Sequence, residues 1–184
     1  MASIKEAFKK MVSLEFNSPA NALHYNEGEK GYTYMGIYEF AHPTWGGWDK
    51  VKAVLKAEAS VAKASVKLYY DESLALDVVK FYKVAFWDRM KLDEVVSQKI
   101  AEELLVFAVN AGIGVAVKVA QKVIGVQADG VLGSRTIKAL NEYDDKKFDI
   151  EFDKAEIEHY QKLVDNNPNF KKFINGWKNR AVAV

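Results

Sequence analysis

The chain contains no cysteine, only three prolines and only three histidines among 184 residues. The missing thiols exclude structural disulfides, thiolate nucleophiles and thiolate zinc sites. His24, His42 and His159 stand alone, and no H-E-x-x-H or comparable pair occurs, so no metal site is expected. Serine-hydrolase signatures of the G-x-S-x-G or S-x-x-K kind are missing too. Gly46-Gly47 and Gly112-Ile113-Gly114 read as turns, because neither follows a strand with the lysine or acidic partner a phosphate loop needs. No apolar run approaches the length of a membrane span. The net charge is only +1, so no global field draws the chain to nucleic acid or anionic lipid. The first residues, MASIKEAFKKMV, are amphipathic and lysine-bearing, without an apolar signal-peptide core. Synthesis in the cytoplasm without a signal peptide is the expectation, with any action outside depending on release.

What is present is a globular composition, 49% hydrophobic and 28% charged. Helical periodicity dominates. Ser3 and Glu6 form a capping box, and Ile4, Phe8, Met11 and Glu15 follow at helical spacing. Ser18-Pro19 ends that helix soon afterwards. The stretch 17–35 reads as a loop or small hairpin, with short strands near Tyr32 and Tyr34, and a short helix is expected to start in 36–40. Further helices are expected over 49–69, from Asp71 or Ser73 to Phe86, over 93–110, up to Ile124, from a Ser134 cap to about Tyr143, over 149–164, and from Pro168 to about Lys178.

Glu15 is the first candidate for chemistry. A carboxylate at a helix C-terminus faces the negative end of the dipole, and its place on the apolar stripe penalises the charged form. Both effects favour a protonated carboxyl, the form a general acid needs. A core-edge glutamate paired with lysine is the plain alternative. Glu27 and Thr33 follow on the polar loop at E-x5-T spacing, a carboxylate and a hydroxyl that could position a water as inverting glycosidases require. Their plain alternatives are an exposed loop charge and an ordinary strand hydroxyl. Glu29 reads as an ordinary exposed loop charge. Tyr25, Tyr32, Tyr34, Trp45 and Trp48 lie close in sequence, and aromatic faces stack on sugar rings. Tyr34 and Trp45 are the substrate-binding candidates among them, and Trp48 and Trp87 read as core. His24 lies in the same loop and is a further substrate contact candidate. Asn110, at a helix end, could bind an N-acetyl group or cap the break.

These residues resemble a family. Glu15, the acidic loop, Gly31, Thr33 and Gly36-Ile37 look like the catalytic region of the glycoside hydrolase family 108 muramidases, phage endolysin-like proteins often labelled secretion activators. Two departures stand out: Phe16-Asn17 replaces paired glycines, and Glu27 stands where an Asp is usual in a shorter loop. Tyr82 with Phe86-Trp87-Asp88, and the segment from Leu105 to Gly112, resemble further family segments. "AQKVIGVQADGVLGSRTIKALN", residues 120–141, resembles a small peptidoglycan-binding motif through Gln121, Gly125, Asp129, Gly130, Gly133, Thr136 and Leu140. Its local logic is structural: Asp129-Gly130 makes a tight turn, Gly133 allows close packing, and Ser134 caps a helix.

The resemblance implies a mainly α, lysozyme-like helical fold with a small β/loop segment and a helical C-terminal lobe. It implies a lysozyme-like catalytic lobe over 1–108 and a peptidoglycan-binding-like lobe over 109–184. The expected activity is N-acetylmuramidase cleavage of peptidoglycan glycan strands, with Glu15 as acid and Glu27 and Thr33 at the water. Neither cofactor nor metal is expected, nor nucleic acid or membrane insertion, and a monomer is expected. A lytic transglycosylase, or an inactive peptidoglycan-binding or phage structural protein, remains the alternative.

Overall fold

The computed structural model describes residues 1–15, 18–26 and 28–184. It is mainly helical, with one small sheet. By packing, the chain divides into two compact units, residues 12–83 and residues 1–11 with 84–184.

Helix α1 runs Ile4–Glu15. In the unit of residues 12–83, Ser18 caps a 3-10 turn, Pro19–Asn21, by accepting from the Ala20 amide. Three two-residue strands follow, β1 Leu23–His24, β2 Thr33–Tyr34 and β3 Ile37–Tyr38, antiparallel in the order β1-β2-β3. The short helix expected in 36–40 is therefore a strand. Met35 and Gly36, both at positive φ (47° and 78°), form a two-residue hairpin turn of the kind whose twist matches antiparallel strands. The turn is held from outside: the Tyr82 hydroxyl donates to the Met35 carbonyl (2.7 Å) and the Met35 amide to Ala22 (2.8 Å).

The single helix expected over 49–69 is two, α2 Trp48–Ala57 and α3 Val61–Tyr69. Glu58 is extended, and Ser60 caps α3 by accepting from the Lys63 amide. Helical periodicity continues across 58–60, but the cap wins the backbone there. Ser65 on α3 is fully buried; its hydroxyl donates to the Pro19 carbonyl (2.6 Å) and accepts from the Leu23 amide (2.9 Å). One side chain thus ties α3 to both the 3-10 turn and β1. Asp71 caps α4, Glu72–Tyr82, which gives way to a π-helical turn, Lys83–Trp87, before the expected end at Phe86.

In the other unit, Asp93 lies in a 3-10 turn, and Ser97 is the cap of α5, Gln98–Ala111. Asp93 instead accepts from the buried Trp87 indole (2.8 Å). Helices α6 Ile113–Val123, α7 Ser134–Asn141, α8 Asp145–Asn166 and α9 Ile174–Ala181 complete it, the last preceded by a 3-10 turn, Pro168–Phe173. Helix α5 is the centre of its core: Ile100, Leu104, Leu105 and Phe107 are all buried. Phe107 meets Phe152 edge-on, and Phe152 stacks on Phe148 (4.9 Å).

The 120–141 motif closes on Gln121. This residue is fully buried; its Nε2 donates to Asp129 (2.7 Å) and also faces the Val131 carbonyl (3.1 Å) and Thr136 Oγ1 (3.2 Å). Its Oε1 accepts from the Gly130 amide, and Gly130 has the positive φ (81°) expected of the turn. Two details differ from expectation. Gly133, not Ser134, is the N-cap of α7, and a Cβ on Gly133 would touch nothing within 4 Å. Close packing therefore does not explain that glycine.

Candidate active site

The register of the sheet sorts its six residues onto two faces. Leu23, Tyr34 and Ile37 are cross-strand neighbours, and all three are buried. His24, Thr33 and Tyr38 are the neighbours on the opposite face. The alternation follows from the two-residue period of a strand, so burial of Tyr34 forces Thr33 to the other side.

The loop between β1 and β2 closes over that second face. Gly28 takes a positive φ (88°), and the Glu29 amide donates to the Asn26 carbonyl (3.0 Å). The Tyr25 hydroxyl donates to the Glu29 carbonyl (2.6 Å), and the Asn26 amide group to Glu29 Oε1 (3.0 Å). These contacts aim the second oxygen, Glu29 Oε2, at Thr33, whose hydroxyl donates to it across a long 3.4 Å. With its proton directed to Glu29, the Thr33 oxygen keeps its lone pairs for an incoming O–H, such as that of a water. The far side of the loop is fixed by Glu39, which accepts from the Tyr32 amide and pairs with Lys52 (2.8 Å). That lysine lowers the Glu39 pKa.

Glu29 is the residue that sequence reasoning missed. Read along the chain it is one of several loop charges, and only the fold of the turn puts it on Thr33. Tyr38 was missed for the same reason; its hydroxyl accepts from the Lys30 amide (2.9 Å) beside Thr33.

The other candidates are placed as follows. Glu15 is the last residue of α1 and belongs to the same unit as the sheet. Glu27 lies outside the described residues, as do Phe16 and Asn17. His24 is half-buried, with Nδ1 3.2 Å from the Asn21 carbonyl; an N–H there leaves Nε2 for another partner. Tyr34 is corrected to a core residue: it is 2% exposed, its hydroxyl is spent on the Leu68 carbonyl (3.0 Å), and burial pushes its pKa upward. It has no face left for a ligand, but it backs one. Trp45, half-buried, lies nearly parallel to Tyr34 (6.1 Å between centroids) and edge-on to the buried Trp48 (5.2 Å). A Cβ on Gly47 would run into the Trp45 ring, so glycine there lets the indole lie flat. Asn110 belongs to the other unit, where its amide donates to Val106 (3.0 Å) and its oxygen accepts from Arg180 (2.6 Å).

Electrostatically, the second unit holds the stronger anomaly. Glu103 and Glu156 are 0% and 4% exposed, and burial pushes their pKa values up to about 8 and about 9.

Comparison with known proteins gives a consistent result. Residues 24–112 match the model of the family Glycosyl hydrolase 108, and residues 115–182 match that of the "Predicted Peptidoglycan domain". The match of the first begins at His24 and therefore takes in β2, β3 and the loop before them, including Glu29 and Thr33, as well as Trp45. No curated protein matches the chain. Among solved structures, that of Brucella abortus SagA is similar, with a TM-score of 0.60 at 20% identity, over 98% of this chain and 94% of SagA. At that identity the likeness speaks for the fold. Residues 24–112 thus carry the likeness to glycosyl hydrolase 108 and residues 115–182 the likeness to the peptidoglycan domain, and together the two matches support a glycoside hydrolase directed at peptidoglycan.

Proposed function

We propose that the protein is an N-acetylmuramidase, hydrolysing the β-1,4 bond between N-acetylmuramic acid and N-acetylglucosamine. The observation that carries this reading is the polar face of the sheet. There a threonine hydroxyl is oriented by a carboxylate on a turn-fixed loop, inside the glycosyl hydrolase segment.

In this mechanism Glu15 gives its proton to the glycosidic oxygen as the bond to the anomeric carbon breaks. A water donates one hydrogen bond to Thr33 Oγ1, loses a proton to Glu27, and attacks the anomeric carbon from the opposite face. The products are a free 4-hydroxyl and a reducing N-acetylmuramic acid of inverted configuration. Glu29 acts through Thr33 as a positioning residue. Trp45, stiffened by Tyr34 and Trp48, offers its ring to a sugar face, and His24 is a polar candidate for the glycan. The lobe over 109–184 would hold the polymer near the catalytic lobe over 1–108. No helix among the described residues is long and apolar enough to cross a membrane. We take the protein to act on the cell wall after release from the cytoplasm, as a monomer, in the manner of an endolysin.

The deciding experiment is mass spectrometry of the soluble products formed from purified peptidoglycan. Reducing N-acetylmuramic acid ends are the expected result. Anhydro ends would replace hydrolysis by lytic transglycosylation. A protein that pellets with the polymer and releases nothing would be a binding module, and the catalytic roles above would fall.

The role of Glu29 has its own test. Glu29→Gln keeps the contact to Asn26 but leaves the Thr33 hydroxyl without its anionic acceptor. Muropeptide release should drop by about 10-fold in kcat, a loss of about 1.4 kcal/mol, with KM little changed. An unchanged kcat would make Glu29 a loop anchor only.

A further inference from the structure

In the unit of residues 1–11 and 84–184, helices α5 and α8 pack face to face, and the contact is acidic at its heart. Glu103 on α5 meets Asp149 and Asp153, one turn apart on α8; oxygens of all three lie within 4.8 Å of one another. Glu103 is fully buried, yet neither of its carboxylate oxygens accepts a hydrogen bond, and the same holds for Asp153 Oδ1. Buried polar atoms are nearly always paired, and of these three oxygens only Glu103 Oε1 has a charged neighbour, Lys99 Nζ at 3.4 Å, so the point on which they converge can take a further occupant.

Lys99, one turn before Glu103, is the resident positive charge. Its Nζ stands 2.9 Å from Asp149 and 3.4 Å from Glu103. Without an ion, burial favours the protonated forms of Glu103 and of Glu156, which acts on it from the next turn of α8, and a divalent ion would take the place of the Glu103 proton. The nearest other cations act at the edges, Lys10 on Asp149 and Arg180 on Glu156. The Lys99 side chain is one-third exposed, and that of Asp149 is 35% exposed, so the ammonium can swing outward and an ion can enter by the same side.

We propose that Glu103, Asp149 and Asp153 form a binding site for a hard divalent cation of the Mg2+, Ca2+ or Mn2+ class, with Lys99 holding its place when the ion is absent. An all-carboxylate donor set selects such ions over zinc or copper, which favour nitrogen and sulfur. A divalent ion brings twice the charge of Lys99 and can bond all three carboxylates at once. The site would lock α5 to α8 by ligands 46 residues or more apart in sequence, a structural clamp in the unit that carries the peptidoglycan-domain segment.

The test uses the full chain stripped with EDTA and then titrated with Mn2+, read by loss of the free-ion EPR signal, and with Ca2+ or Mg2+, read by melting temperature. Sodium chloride of equal ionic strength controls for screening. One bound Mn2+ per chain is expected, with a melting temperature raised by at least 5 °C at millimolar ion. Lys99→Met, which removes the competing ammonium, should bind at least 10-fold tighter. Asp153→Asn should abolish binding, and it stands in for Glu103→Gln should that variant fail to fold. The absence of a response in both the wild type and Lys99→Met would overturn the proposal, as would a response that survives Asp153→Asn.

Discussion

Glu15→Gln is expected to cut muropeptide release by about 10³-fold, the scale of a general acid's contribution, while the melting temperature stays within experimental error. Helix α1 ends at Glu15, and the C-terminal end of a helix carries the negative end of its dipole, which opposes a second negative charge. The mechanism proposed above needs that carboxyl to carry a proton until the leaving oxygen takes it. Glutamine matches the side chain in size and in hydrogen-bonding reach, so the fold has no reason to change, but it has no proton to give. Binding of the polymer should therefore persist and the chemical step should not, which separates KM from kcat. Activity within 10-fold of the wild type would remove Glu15 from the mechanism. It would leave the Thr33 face to be explained with a different acid.

The second large effect concerns stability and pH. Glu156 is 4% exposed, and burial, with Glu103 and Asp153 nearby, pushes its pKa up to about 9 from the ordinary 4.5. The folded chain thus keeps a proton that the unfolded chain releases as soon as pH passes its ordinary value. Folding binds protons, so the stability linked to this group is full below about pH 4.5 and is lost as pH rises toward 9. Glutamine resembles the protonated acid and does not titrate. Melts in EDTA should therefore find Glu156→Gln close to the wild type at pH 5 and more stable at pH 9. A gain of about 3 kcal/mol is expected there, a fraction of the full linkage because the neighbouring acids share the proton. Equal stability at both pH values would mean that Glu156 is ionised in the folded chain and held by its neighbours.

The site and the acidic cluster differ in how far the sequence discloses them. Helical content, the stop at Ser18-Pro19, the cap at Asp71, and the Asp129-Gly130 turn are matters of a few adjacent residues, and they can be read from the chain. The Gln121 motif is legible for the same reason, since its donors and acceptors fall within residues 121–136. Thr33 stands out through its E-x5-T spacing from Glu27, and Glu15 through its place at the end of an apolar helical stripe.

Tertiary structure alone decided the rest. The helix expected in 36–40 gives way to the strand Ile37–Tyr38 because these two residues pair with β2, and no helix-forming signal within the segment can outweigh that partner. Tyr34 passes from candidate sugar platform to core because α3 supplies Leu68 to receive its hydroxyl. Glu29 gains its place on Thr33 only when the loop closes. Glu103 and Asp153 are single acids on two amphipathic helices until α5 and α8 meet. Periodicity, caps and turns are fixed by near neighbours and are written locally. Which face meets which, and therefore which carboxylate is buried or aimed, depends on contacts between segments far apart along the chain, and only the folded packing sets those.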